Sequence, residues 1–317
     1  MNLRLRRMVR ARVEPPLAAA PALEPASVAR AGRAAPATLL RWGAYLLISL
    51  IFLLPFIWMT LGSLRPEREI FANLYPFGWR TFVPIEWTLT NYLDVLGMSD
   101  EGRRYGFNFG RNLLNSFFIS TAVVLSSLIF NTMGAYFFAR LRFPLKNVLL
   151  IFVFATLLIP FEVTIIPLYI VVRELGIQNS YWALILPWYA SPFVIFALIQ
   201  FFKRIPMDLD EAAIMDGANY FQILRHVIVP NAVPGLITMA LLEFQFIWNL
   251  FFWPLIAVSN NDIQVIQVAI SAQTTQTQVF WGRTFAGAAL ASLPVIIIFL
   301  RLQRYYIQGV AQYGVKG

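Results

Sequence analysis

Residues 211–230 read EAAIMDGANYFQILRHVIVP, a polar and partly charged stretch wedged between long apolar segments. Charged side chains are costly at membrane depth, so this stretch is expected at a membrane surface, with crossing segments on either side. Composition supports that reading. The chain has 317 residues, 59% of them hydrophobic and 13% charged, with a mean hydropathy of +0.65, far more apolar than a soluble domain. The absence of Cys and the single His226 exclude disulfides, Cys nucleophiles and a zinc cluster, which needs three or four converging ligands. A Ser-His-Asp site has no place within the membrane, because the one His lies in the polar stretch itself. The chain also lacks a GxxxxGK[ST] phosphate loop, so it is expected to be no enzyme and to hydrolyse no ATP by itself.

Working outward, six apolar runs at 42–64, 112–138, 147–171, 181–202, 232–257 and 284–304 reach the roughly 20 helical residues that a hydrocarbon core of about 30 Å requires. Helices are required because unpaired backbone groups in lipid are too costly. Residues 1–41 hold eight Arg against Glu14 and Glu24, which accounts for +6 of the net charge of +9. Such a flank orients the following helix and can touch anionic lipid rather than bind nucleic acid. Arg6 and Arg7 resemble part of a twin-arginine signal, but the apolar run begins far downstream and is too long for a signal core, so it reads as a retained anchor. Arg140, Arg142 and Lys146, and likewise Arg301, Arg304 and Lys316, stand in connections without acids, whereas the 65–111 connection balances six Arg with six acids. The expected fold is an all-α membrane protein of six transmembrane helices with both termini cytoplasmic. A flexible Arg/Ala/Pro-rich tail is expected over 1–40 and the transmembrane domain over 41–317, with an inner segment at 203–231 and an outer one at 259–283. Prolines 55, 160, 167, 187, 192, 254 and 294 fall inside the spans. They fit either broken helices along a moving path or the general frequency of Pro in membrane helices.

Within the inner segment, Asp208 with Glu211 has the spacing of a helix cap, Gly217 is placed to end that helix, and Asn219 with Gln222 repeats the cap spacing. A helix-turn-helix along the membrane face follows. Ala212 and Ala213 give its first helix a low profile that suits a partner's groove, although an amphipathic helix resting in the interface has the same pattern.

Glu211-Ala212-Ala213, Gly217, Val227, Val229 and Pro230 resemble the EAA loop of ABC importer permeases, with Val where that pattern has Ile and Leu. The resemblance implies that the segment is a coupling helix seated in an ATP-hydrolysing subunit, with Glu211, Ala212, Ala213, Asp216, Gly217, Ala218 and Pro230 as its coupling residues. Further motifs cover almost everything from residue 41 onward. They are Ser63-Leu64-Arg65, Glu69-Ile70-Phe71, Asn91-Tyr92, Asn115-Ser116, Ala139 to Pro144, Pro167-Leu168-Tyr169, Trp248-Asn249, Trp253-Pro254-Leu255 and Gly314 to Gly317. These are similar to carbohydrate importer permeases, in particular the second permease of maltose-type systems.

That resemblance implies a homologous permease partner, two ATP-binding subunits and an extracytoplasmic sugar-binding protein, with ATP and Mg on the partner ATPase and no cofactor on this chain. It makes residues 259–283 a candidate scoop entering the binding protein's sugar cleft, against the plain reading of a solvated loop. It also brings Lys316 and Gly317 to the ATPase. Glu162, Glu243, Gln245, Trp248 and Asn249 are polar or aromatic groups within the predicted spans. They suit either a translocation path or helix-to-helix bonding. The rival function is a proton-coupled secondary transporter relaying through Glu162 and Glu243, for which internal repeats are expected and none is evident.

Overall fold

The computed structural model describes residues 28–273 and 279–314, whose regular elements are all helices, with no strand among them. The described residues divide into two units after Pro55. Helix α1 (Val28–Ser63) supplies the described part of the first unit and enters the second. It begins upstream of the boundary drawn at Arg41, and residues 28–40 are helical; residues 1–27 lie outside the described residues. Its apolar side chains, Leu46 and Phe52 among them, are exposed, as lipid contact requires.

Three short helices follow, α2 (Trp79–Phe82), α3 (Thr90–Val95) and α4 (Asp100–Arg104). Helix α5 (Phe109–Arg140) then runs unbroken for 32 residues. The next span is not one rod. Helix α6 (Lys146–Ala155) continues through a 3-10 turn to Leu158, and α7 (Phe161–Glu174) leaves at 102°. The break falls at Pro160, which caps α7 and has no N–H to continue a ladder. Helix α8 (Tyr181–Ile185) and its 3-10 extension meet α9 (Pro192–Phe202) at 42°, with Pro192 at the first position of α9 and the Ser191 hydroxyl capping it.

The inner segment holds α10 (Asp208–Met215), α11 (Tyr220–Ile223), a π-helical turn over Leu224–Ile228, and α12 (Val229–Asn231). An 81° bend separates it from α13 (Val233–Trp248). The expected span 232–257 is also interrupted, because α13 ends at Trp248 and a separate helix α14 (Phe252–Ala257) follows. Helix α15 (Ile266–Ser271) and the long α16 (Trp281–Gly314) complete the chain. Among the described residues three helices are long and apolar enough to cross a membrane, or up to six if each bent pair counts as one span.

Helices α5, α9, α13 and α16 form the frame. Ile119 and Val123 of α5 meet Ile185, Ile247 and Trp253 in one apolar cluster; Ala135 and Tyr136 meet Leu198, Phe202, Ile223 and Ile228 in a second. Phe109, Phe244, Trp248 and Ala286 build a third. The second cluster fixes the inner segment to α5 and α9.

Candidate functional site

The inner segment is an exposed knob on a buried anchor. Helix α10 does not begin as the spacing of Asp208 and Glu211 suggests: Met207 holds the cap position without a side-chain bond, and Asp208 is the first helical residue. The neighbouring acid, Asp210, points inward instead. Its carboxylate lies 3.4 Å from Arg140 Nε at the end of α5, and the two side chains are only 8% and 3% exposed. Arg140 also donates to the Ile205 carbonyl at 2.7 Å. Burial pushes the Asp210 carboxyl above its usual range, and Arg140 offsets part of that rise. This pair is a structural feature that sequence reasoning missed; Arg140 was visible there only as part of a basic connection and of the motif Ala139 to Pro144.

At its other end α10 stops at Gly217, whose φ of +84° is left-handed. Ala218 N–H donates to the Ala213 carbonyl and Gly217 N–H to the Ile214 carbonyl, both at 2.9 Å, the paired bonds that close a helix around such a glycine. Asn219 and Gln222 then make reciprocal bonds of 2.8 and 3.0 Å that start α11. Glu211, Ala212, Asp216 and Gly217 are exposed, Ala213 and Ala218 half-buried, and Pro230 exposed at the far end. Beside them Ile214, Tyr220 and Phe221 are exposed, and Met215 is 86% exposed. Six of the seven expected coupling residues therefore surround one turn, ringed by apolar side chains.

At the opposite end, the connection over 65–111 is built around α1 and α16 rather than being a simple charge-balanced loop. Glu67 accepts from the backbone N–H groups of Trp281 and Gly282 at 2.8 and 2.9 Å, placing a carboxylate on the start of α16. Asn91 donates to the Ser63 and Arg65 carbonyls, and Tyr92 bonds Ser63. Arg283 pairs with Asp94 at 2.9 Å and Glu101 at 2.8 Å. The segment 259–283 is likewise less loop-like than its composition suggests. Asn115 donates to the Asp262 and Gln264 carbonyls, Ser116 accepts from Ile266 N–H, and Arg111 pairs with Asp262. Ile263, Ile266 and Val268 are buried behind those contacts. Beyond Gln273, residues 274–278 of the candidate scoop lie outside the described residues, as do Lys316 and Gly317.

The intramembrane candidates divide. Glu162, Gln245 and Asn249 line one open cleft of 600 Å3. Asn249 also accepts from Gln267 of α15 at 3.4 Å. Trp248 is elsewhere: 2% exposed, stacked on Phe244 and donating to the Ala291 carbonyl of α16, it holds helices together. Glu243 is also buried and accepts from the Ser127 hydroxyl at 2.6 Å. No group of His, Asp and Glu among the described residues could hold a metal ion.

Residues 131–312 match the family described as binding-protein-dependent transport system inner membrane component. A probable ABC transporter permease of Pyrococcus horikoshii is 31% identical over 271 residues, 85% of this chain and 94% of that protein. The trehalose transport system permease protein SugB of Mycobacterium tuberculosis is 33% identical over 269 residues, 84% and 93% of the two chains. The arabinooligosaccharides transport system permease protein AraQ of Halalkalibacterium halodurans is 32% identical over 270 residues, 85% and 93%. In fold, the chain is similar to a bacterial ABC transporter involved in import of the acidic polysaccharide alginate, with a TM-score of 0.69 at 24% identity over 87% of this chain and 97% of that one. The matched stretch takes in the inner segment and most of the helical frame, and the chain thus belongs to the binding-protein-dependent transport system inner membrane component family, as a multi-pass protein of the inner membrane.

Proposed function

We propose that this chain is one permease of an ATP-driven carbohydrate importer, forming half of a translocation path for a sugar delivered by an extracytoplasmic binding protein. In this reading α1, α5, α13 and α16 and the bent pairs α6–α7 and α8–α9 make the six spans, both termini are cytoplasmic, and a tail over 1–40 precedes a transmembrane domain over 41–317. The helix-turn-helix within 203–231 seats in an ATPase subunit through Glu211, Ala212, Ala213, Asp216, Gly217, Ala218 and Pro230. The partners are a homologous permease and two ATP-binding subunits, which hold ATP and Mg; this chain binds no cofactor and catalyses nothing. Lys316 and Gly317 reach the ATPase, and 259–283 faces the binding protein.

The observation that carries the reading is the exposed turn at Gly217 on a helix tied by Asp210 to Arg140 of α5. Such a knob passes a push on to a long membrane helix instead of absorbing it. Names of relatives support the substrate class: trehalose, trehalose/maltose, lactose and arabinooligosaccharides. Glu162, Gln245 and Asn249 belong to the path. No relative named among those matches favours the proton-coupled rival.

The test is Gly217→Asp in the assembled transporter. The expected result is a protein that still reaches the membrane, with sugar uptake lost. Normal uptake by that variant would remove the coupling role.

A further inference from the structure

A second cleft, of 510 Å3, lies between the α8–α9 break and α13, bordered by Trp188, Ser191, Glu243 and Phe246. Part of its wall is aromatic: the rings of Trp188 and Phe246 stand 5.4 Å apart at 72°, and Phe193 also lines the cleft. Two polar atoms of its lining residues are buried without a protein partner, the indole Nε1 of Trp188 and the Oε2 of Glu243. One is a donor only, the other an acceptor. Leaving either unsatisfied is costly.

Glu243 is 7% exposed and held in place by a chain of donors. Ser191 N–H donates to Asn131 Oδ1 at 2.9 Å, Asn131 donates to the Ser127 hydroxyl, and Ser127 donates to Glu243 Oε1. The one Ser127 proton is thereby directed at Oε1, which leaves Oε2 as the free acceptor. The ligand chemistry that suits both atoms narrows by elimination. A cation would satisfy Glu243 and leave the indole N–H unmet; an anion would meet the indole and be repelled by the acid; a lipid tail would meet neither. A hydroxyl, of water or of a sugar, accepts from the N–H and donates to the carboxyl oxygen, and only a sugar brings C–H faces that suit the aromatic side chains of the cleft.

We infer that this cleft is a subsite for a neutral carbohydrate, one of whose hydroxyls accepts from Trp188 Nε1–H and donates to Glu243 Oε2. The inference rests on the importer reading above, and it places Trp188 and Ser127 with the path residues.

The test uses the complete transporter in proteoliposomes with saturating binding protein. The probes are radiolabelled trehalose, maltose and lactose, together with their monodeoxy analogues. The wild type is expected to take up at least one of these sugars with ATP, and to move one monodeoxy analogue about 10-fold more slowly, the order of one lost hydrogen bond to a charged group. Trp188→Phe keeps the ring and removes the N–H, so it should erase most of that preference; Glu243→Gln, which turns an acceptor into a donor, should reverse or erase it. A merely structural role would slow the sugar and all its analogues alike. Transport with the preference unchanged in Trp188→Phe, or with no preference in the wild type, overturns the subsite and leaves the importer reading standing. If the wild type takes up none of these sugars, and no arabinooligosaccharide either, the carbohydrate reading falls and takes the subsite with it.

Discussion

Arg140 and Asp210 show what one buried pair does for the inner segment. With both side chains nearly inaccessible, replacing Arg140 by Met strands a carboxylate in an apolar setting, a change that typically costs about 3–5 kcal/mol. Arg140→Met should therefore melt well below the wild type in detergent; equal melting temperatures would contradict the pair's structural role. The pH dependence follows from the raised Asp210 carboxyl. The folded form holds that proton more tightly than the unfolded chain, so its contribution to stability is complete below the ordinary aspartate range and is lost as pH rises through the raised value. Without Arg140 the folded value rises further, and the decline should extend to higher pH. Superimposable stability profiles for the two proteins would refute this. Sequence spacing gave Asp208 the cap because it could not see that Asp210, two positions on, has its partner on α5, far away in the chain.

At the scale of elements, the local signals in the inner segment were legible wherever both partners lie within a few residues. Gly217 ends α10 and the Asn219–Gln222 box opens α11, in the positions that their spacing predicts. Asn219→Ala should cost about 1 kcal/mol and increase backbone hydrogen exchange across Tyr220–Ile223; unchanged exchange there would show that the box contributes nothing. The breaks at Pro160 and after Trp248 were not legible, since a proline in a membrane helix signals a kink, a break or nothing, and only neighbouring helices decide which. The outer segment was hidden for another reason. Its Gln- and Asn-rich composition suggests a loop, yet Asn115 and Ser116 of α5 bind its backbone. Asn115→Ala should raise hydrogen exchange at 262–266 while leaving α13 unchanged; protection equal to the wild type would remove that anchoring role.

For the whole molecule, apolar length marked the candidate spans, three of which are single long helices among the described residues, and charge asymmetry suggested their orientation, because both depend on the bilayer rather than on particular contacts. The chain has no Cys, so single cysteines report sidedness without background. Leu145→Cys, in an exposed turn, should react with an impermeant thiol reagent only from the cytoplasmic face, and Asn261→Cys only from the outer face. The same face for both would contradict six spans. The candidate path was legible in residue type but not in grouping. Glu162, Gln245 and Asn249 meet at one cleft, Trp248 turns into the core, and Trp188, which no motif singled out, borders Glu243.

The most direct measurement is to purify this chain from native membranes in mild detergent, as wild type and as Gly217→Asp, and to identify what accompanies each. The account predicts an ATP-binding subunit and a second permease with the wild type, and the second permease alone with the variant. A wild type recovered without an ATPase, or a variant that retains it in full, would contradict the coupling role of the turn at Gly217.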